Sequence, residues 1–242
     1  MSMFPESGAQ RKPWELEYGT VDRTMVRFFN LVYAWMAVGL AVTAAVAYFV
    51  SQNETLLRMF YGGGTGMAVV FALGMFAIAM AVQQSAMRLN ANVATGLFLL
   101  YAALMGCLIS AIFLIYPMST LLSAFLITGG TFGAMSVYGF VTKRDLTRMG
   151  GILTMAVVGL FLASLVNIFL ANNALSWIIT YAVLAVFIGI TAYQTQQLKE
   201  FARQYGDNPD VAPRVAIVGS LILYIAFINM FLSILRIMGD RR

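Results

Sequence analysis

Histidine is absent from this chain of 242 residues, and cysteine occurs once, as Cys107. An intramolecular disulfide and a cysteine-based metal site are therefore both impossible. Without histidine there is neither an H-E-x-x-H metalloprotease nor a histidine-dependent intramembrane serine protease. Charge is scarce as well. Asp, Glu, Lys and Arg make up 10% of the residues, against roughly 25% in an ordinary globular domain. Lysine occurs only as Lys12, Lys143 and Lys199, outside the long apolar runs, so the Schiff-base lysine that a retinal protein needs in its last helix is missing. The ten acidic residues (Glu6, Glu15, Glu17, Asp22, Glu54, Asp145, Glu200, Asp207, Asp210 and Asp240) also avoid those runs. An aspartyl intramembrane protease is thereby excluded, and so are the carboxylates that mark proton relays in membranes. No catalytic residue, cofactor or metal ligand is assigned, and the chain reads as a non-enzyme.

What the chain has is apolar length: 61% of its residues are hydrophobic. They fall into seven runs, at 28–50, 65–85, 93–116, 119–141, 152–171, 176–196 and 215–238, separated by short polar joints. A run of about 20 residues matches the ~30 Å hydrocarbon core of a bilayer. Backbone groups in lipid must be satisfied internally, so these runs are predicted to be helices. The fold class is all-α: a polytopic membrane protein with a cytoplasmic tail over 1–27 and a transmembrane domain over 28–239. The second run, rich in Ala, Gly and Met, is the least pronounced. The first 27 residues are polar and the first apolar run is long, which predicts an uncleaved signal-anchor rather than a removed signal peptide.

The net charge of +5 arises from basic residues flanking helices, so it is read as orientation, not as nucleic-acid binding. Eleven Lys and Arg fall on one side: Arg11, Lys12, Arg23, Arg27, Arg88, Lys143, Arg144, Arg148, Lys199, Arg203 and Arg214. Four, Arg58, Arg236, Arg241 and Arg242, fall on the other. That asymmetry predicts a cytoplasmic N-terminus and an external C-terminus. Gly129 with Gly133, and Gly62 with Gly66, form G-x-x-x-G pairs, which permit close helix approach. On the last run Ala226, Asn229, Ser233 and Arg236 share one helical face. It points either into the bundle or a water-filled cavity, or it serves neighbour-helix hydrogen bonds, with Arg236 reaching the outer interface. The sixth run ends in the polar stretch Tyr193-Gln194-Thr195-Gln196-Gln197, read as a cytoplasmic mouth or as a helix end meeting headgroups.

Four stretches resemble prokaryotic members of the Bax inhibitor-1 family. They are Tyr138-Gly-Phe-Val-Thr-Lys-Arg-Asp-Leu-Thr-Arg-Met-Gly-Gly151, Leu162-Ala-Ser-Leu-Val-Asn-Ile-Phe-Leu170, Ala192-Tyr-Gln-Thr-Gln196 and Leu223-Tyr-Ile-Ala-Phe-Ile-Asn-Met-Phe-Leu-Ser-Ile-Leu-Arg236. The resemblance runs from about Arg27 to Gly239. It implies seven helices with the last surrounded by the other six. It also implies a pH-sensitive calcium leak, attributed in the family to an aspartate on each of the last two helices. Those positions are occupied here by Gln194 and Ala226, which carry no proton. The chain is therefore expected to be an ion-leak element of the bacterial inner membrane without that proton switch. The alternative is a non-conducting protein that modulates a partner such as a membrane-bound quality-control protease. The candidate pore or gate positions are Tyr193, Gln194, Ala226, Asn229, Ser233 and Arg236.

Overall fold

A computed structural model describes residues 13–62, 70, 73–75, 77–79, 91–206, 208–209 and 211–239. Every element formed by these residues is a helix: α1 (Pro13–Ser51), α2 (Glu54–Tyr61), α3 (Ala91–Ile109), α4 (Ile112–Ile115), α5 (Met118–Val141), α6 (Thr147–Leu170), α7 (Asn173–Tyr205) and α8 (Ala212–Met238). Among the described residues, six segments are long and apolar enough to cross a membrane. The second expected span lies largely outside them. Its described members, Val70, 73–75 and 77–79, are helical, with Met75 and Ala79 one turn apart in the core.

The helices outrun the apolar runs that predict them. α1 starts at Pro13, inside the segment read as a tail, where proline fits because its missing N–H has no partner in a first turn. α7 continues past Gln196 to Tyr205, because Leu198 and Ala202 remain buried on the face that carries Thr191 and Thr195. The third span is interrupted at Ser110 and Ala111. The Tyr61 hydroxyl sits at the break, donating to Leu108 O at 2.5 Å and accepting from the Ala111 N–H at 3.3 Å. Ser110 Oγ donates back to Cys107 O at 2.8 Å. These side chains satisfy backbone groups that a break in lipid otherwise leaves bare.

The last helix is the axis of the bundle. α8 packs against α1, α3, α5 and α7. Of its membrane-length apolar window 72% is buried, against at most 28% in the other five spans and 6% in α6. Apolar side chains gain little by leaving lipid, so the centre goes to a helix whose small and mildly polar residues allow close approach. α8 supplies Ala216, Gly219, Ser220, Ala226 and Ser233, all buried. Ser220 Oγ reaches Val32 O of α1 at 2.8 Å.

Close approach occurs elsewhere than the G-x-x-x-G spacing predicts. Gly129 and Gly133 face open space, and Gly66 lies outside the described residues. The tight crossings are at Gly139, against the Ala192 backbone of α7, and at Gly106, against Thr43 O and the Val46 side chain of α1. Spacing tells where a helix has a shallow face. Which face meets a neighbour is decided by the rest of the bundle.

The start of α1, the α5–α6 joint and the α7–α8 joint gather at one end, as the Thr24–Gly206, Phe28–Phe201 and Lys199–Phe140 contacts show. This end carries Arg23, Arg27, Lys143, Arg144, Arg148, Lys199, Arg203 and Arg214, and is called the basic end. The far end holds Arg58 and Arg236.

Candidate functional site

The axial helix brings Ala226, Asn229, Ser233 and Arg236 onto one side, as their spacing predicts. Ala226 is fully enclosed at 0% exposure, Ser233 is buried, and Asn229 and Arg236 are half-buried. The expected neighbour-helix hydrogen bonds are not made among the described residues. Asn229 Nδ2 donates to Ile225 O and Ser233 Oγ to Asn229 O, each at 2.8 Å within α8.

Tyr193 and Gln194 of α7 are half-buried, and the Tyr193 ring lies against Gly150 of α6. Leu198 packs on Gly219, and Trp177 stacks with Arg236 5.5 Å from its ring centroid. These two contacts fix an antiparallel α7–α8 pairing. Interpolating between them at ~1.5 Å per residue puts Ala226 level with Gly189–Ile190, and Gln194 a little over one turn closer to the basic end. Side chains of moderate length bridge that offset.

Below the polar face lies a knot that sequence reading missed. Tyr224 OH meets Thr43 Oγ1 at 2.6 Å, and Thr43 Oγ1 lies 2.9 Å from both Gly39 O and Ala102 O. The threonine hydrogen serves one of these carbonyls while its oxygen accepts from the tyrosine, tying α8 to α1 and α3. Phe98 and Tyr101 meet the Tyr224 ring edge-on at 5.7 and 6.0 Å. The visible signal was a threonine in an otherwise apolar run.

At the basic end Gln196 clamps the α5–α6 joint. Its Oε1 accepts from the Leu146 N–H and its Nε2 donates to Arg144 O, both at 2.8 Å. Lys199 donates to Phe140 O and lies 4.8 Å over that ring. Between joint and helix is a cavity of about 660 Å³ bordered by Lys143, Arg144, Asp145, Lys199, Glu200 and Arg203. The Thr147 hydroxyl and N–H donate to Asp145 and, with Arg148 nearby, hold its carboxyl below the ordinary carboxylate range. A carboxyl depressed in this way stays ionised through neutral pH and does not serve as a proton sensor there. Gln196 belongs to the polar stretch read as a mouth. That it holds a joint follows only from the fold.

Fold and face together define a class: an all-α membrane protein with an enclosed C-terminal helix and, among the described residues, no ionisable pair at its centre. The sequence matches the family described as "Inhibitor of apoptosis-promoting Bax1" over residues 25–242, and the chain belongs to that family. It is 44% identical over 215 residues to "Inner membrane protein YbhL" of Escherichia coli (strain K12), covering 87% of this chain and 90% of that protein. An uncharacterized protein of Deinococcus radiodurans is 42% identical over 222 residues, covering 92% and 94% of the two chains. Another from Caulobacter vibrioides is 33% identical over 250 aligned positions, spanning both chains in full.

Proposed function

We propose that this chain is a non-enzymatic inner-membrane protein with an ion-leak pathway along its axial helix, calcium being the ion the family resemblance points to, and that acid does not gate this pathway. The observation that carries the reading is Ala226, enclosed between helices where the resemblance implies a carboxylate. A methyl group and the amide of Gln194 bind no proton near neutrality, and no histidine replaces them. The hydrogen bonds of Asn229 and Ser233 stay within α8, so those bonds need not break for the face to move. Purified protein in liposomes is expected to release calcium at a rate that changes by less than about twofold between pH 5 and 8. Steep pH dependence overturns the ungated reading.

One observation favours a second reading, a non-conducting protein that binds a membrane partner such as a quality-control protease. α6 packs mainly on α7 and leaves Ile152, Met155, Leu162 and Phe169 exposed at membrane depth. Complete absence of flux at every pH supports this reading over the first.

In either case the basic end is assigned to the cytoplasm, following the Lys and Arg bias, and the inner membrane is inferred from the name of the Escherichia coli relative. A periplasmic reporter fused after Arg242 is expected to be active. Activity of a cytoplasmic reporter at that position instead means that one span, the second, does not cross.

A further inference from the structure

At the far end a cavity of about 370 Å³ opens between the end of α6, the α6–α7 turn, the start of α7 and Arg236 of α8. Its polar lining is Ser164, Asn167, Asn173, Ser176 and Arg236. The positive charge there has no counter-charge among the described residues. Arg236 Nε is buried without a hydrogen-bond partner, and the guanidinium lies over the Trp177 ring. Enclosing even part of a cation is costly unless that part is paired, and an aromatic face offsets only some of that cost. Of the carboxylates at this end, Glu54 is held by Arg58 at 2.7 Å. Asp240, four residues beyond Arg236, lies outside the described residues.

The neutral groups around the cavity are arranged to fix the start of α7. Asn167 Nδ2 donates to Ser176 Oγ at 2.8 Å, and its Oδ1 accepts from the Asn172 N–H at 3.2 Å. Asn172 Oδ1 in turn caps the Leu175 N–H at 3.1 Å. The first N–H groups of this 33-residue helix have no acceptor within it, and they form the positive end of its dipole. Cation, helix start and hydroxyl share one cavity, at the depth where a membrane-length helix ends.

We propose that this cavity binds a phosphate group through the Arg236 guanidinium, backed by Trp177, with the start of α7 adding its dipole. A guanidinium presents paired N–H donors that match phosphate oxygens, which a point charge does not. The phosphate belongs either to a phospholipid headgroup, with Ile168 and Ile179 of the cavity wall beside its chains, or to free phosphate. The binding chemistry is the same.

The test uses the full chain with Trp14→Phe and Trp35→Phe, so that Trp177 is the only tryptophan reporter, in maltoside micelles free of phosphate. Phosphatidylglycerol and inorganic phosphate are titrated separately. A saturable change in Trp177 emission is expected, with affinity falling at least about tenfold in Arg236→Gln. Saturation by the lipid alone identifies a headgroup site; saturation by both identifies the phosphate itself. Should Arg236→Gln fail to fold, Arg236→Lys keeps the charge and loses the fork, and weaker binding is expected from it. No saturable change with either probe overturns the proposal, as does unchanged affinity in the Arg236 variants. A response that appears only with Asp240→Asn also overturns it, because Asp240 is then the resident partner.

Discussion

Placing aspartates at Gln194 and Ala226 together makes the bundle pH-sensitive: stability falls and flux rises from pH 5 to pH 8. Ala226 is fully enclosed, so a carboxyl there loses hydration and its pKa rises in the folded state. A second carboxyl about one turn away raises it further, because two like charges resist ionising together, and the pair titrates as a unit. A raised carboxyl pKa means that the folded state holds protons which the unfolded state releases. Stability is therefore unaffected well below the unfolded value of ~3.9 and declines as pH rises above it. The loss levels off once the folded pKa is passed, at about 1.4 kcal/mol for every tenfold difference in proton affinity between the two states. The same ionisation strains the closed packing around α8, and this is the origin of the expected flux. Thermal unfolding in detergent and calcium release from liposomes, each at pH 5 and 8, report the two effects. Equal behaviour at both pH values means that positions 194 and 226 do not share an enclosed site.

Gly139→Ala is the next largest effect, and it contrasts with Gly133→Ala six residues earlier on the same helix. A Cβ at 139 falls on the Ala192 backbone, which has no flexible end to move aside, so α5 and α7 must separate. Overpacking of this kind costs roughly 1–3 kcal/mol, and here it also disturbs the helix that carries Gln194 and Gln196. A Cβ at 133 meets open space, so the replacement recovers the helix preference of alanine, up to about 1 kcal/mol. Comparing the melting temperatures of the two variants checks the pairing directly. If Gly133→Ala is the more damaging, the G-x-x-x-G face rather than Gly139 is the packed one.

The spans were legible because the bilayer imposes its thickness on the chain. Length and apolarity alone locate α1, α3 and α5 to α8 to within a few residues at most ends. Ends set by packing were not legible: α7 continues into a polar segment because Leu198 and Ala202 still face the bundle. The break at Ser110 was hidden inside an apolar run, and it depends on Tyr61, 49 residues earlier. The central position of α8 was visible in its small and polar face and in the family resemblance. Gln196 and Arg236 stood out as polar residues in a hydrophobic chain. Their different tasks, one clamping a joint and the other bordering a cavity with no counter-charge among the described residues, depend on what other helices bring to them.

Because the axis of this bundle is encoded after its surroundings, assembly in the membrane runs from the outside inward. Ribosomes add ~5–20 residues per second, so α1 waits on the order of ten to forty seconds before α8 emerges. Until then Val32 and Thr43, and Phe98 once it is made, have no axial neighbour, while the Thr43 hydroxyl keeps its bond to Gly39 O within α1. A chain stopped before Ala212 is expected to lack the axis on which α1, α3, α5 and α7 pack.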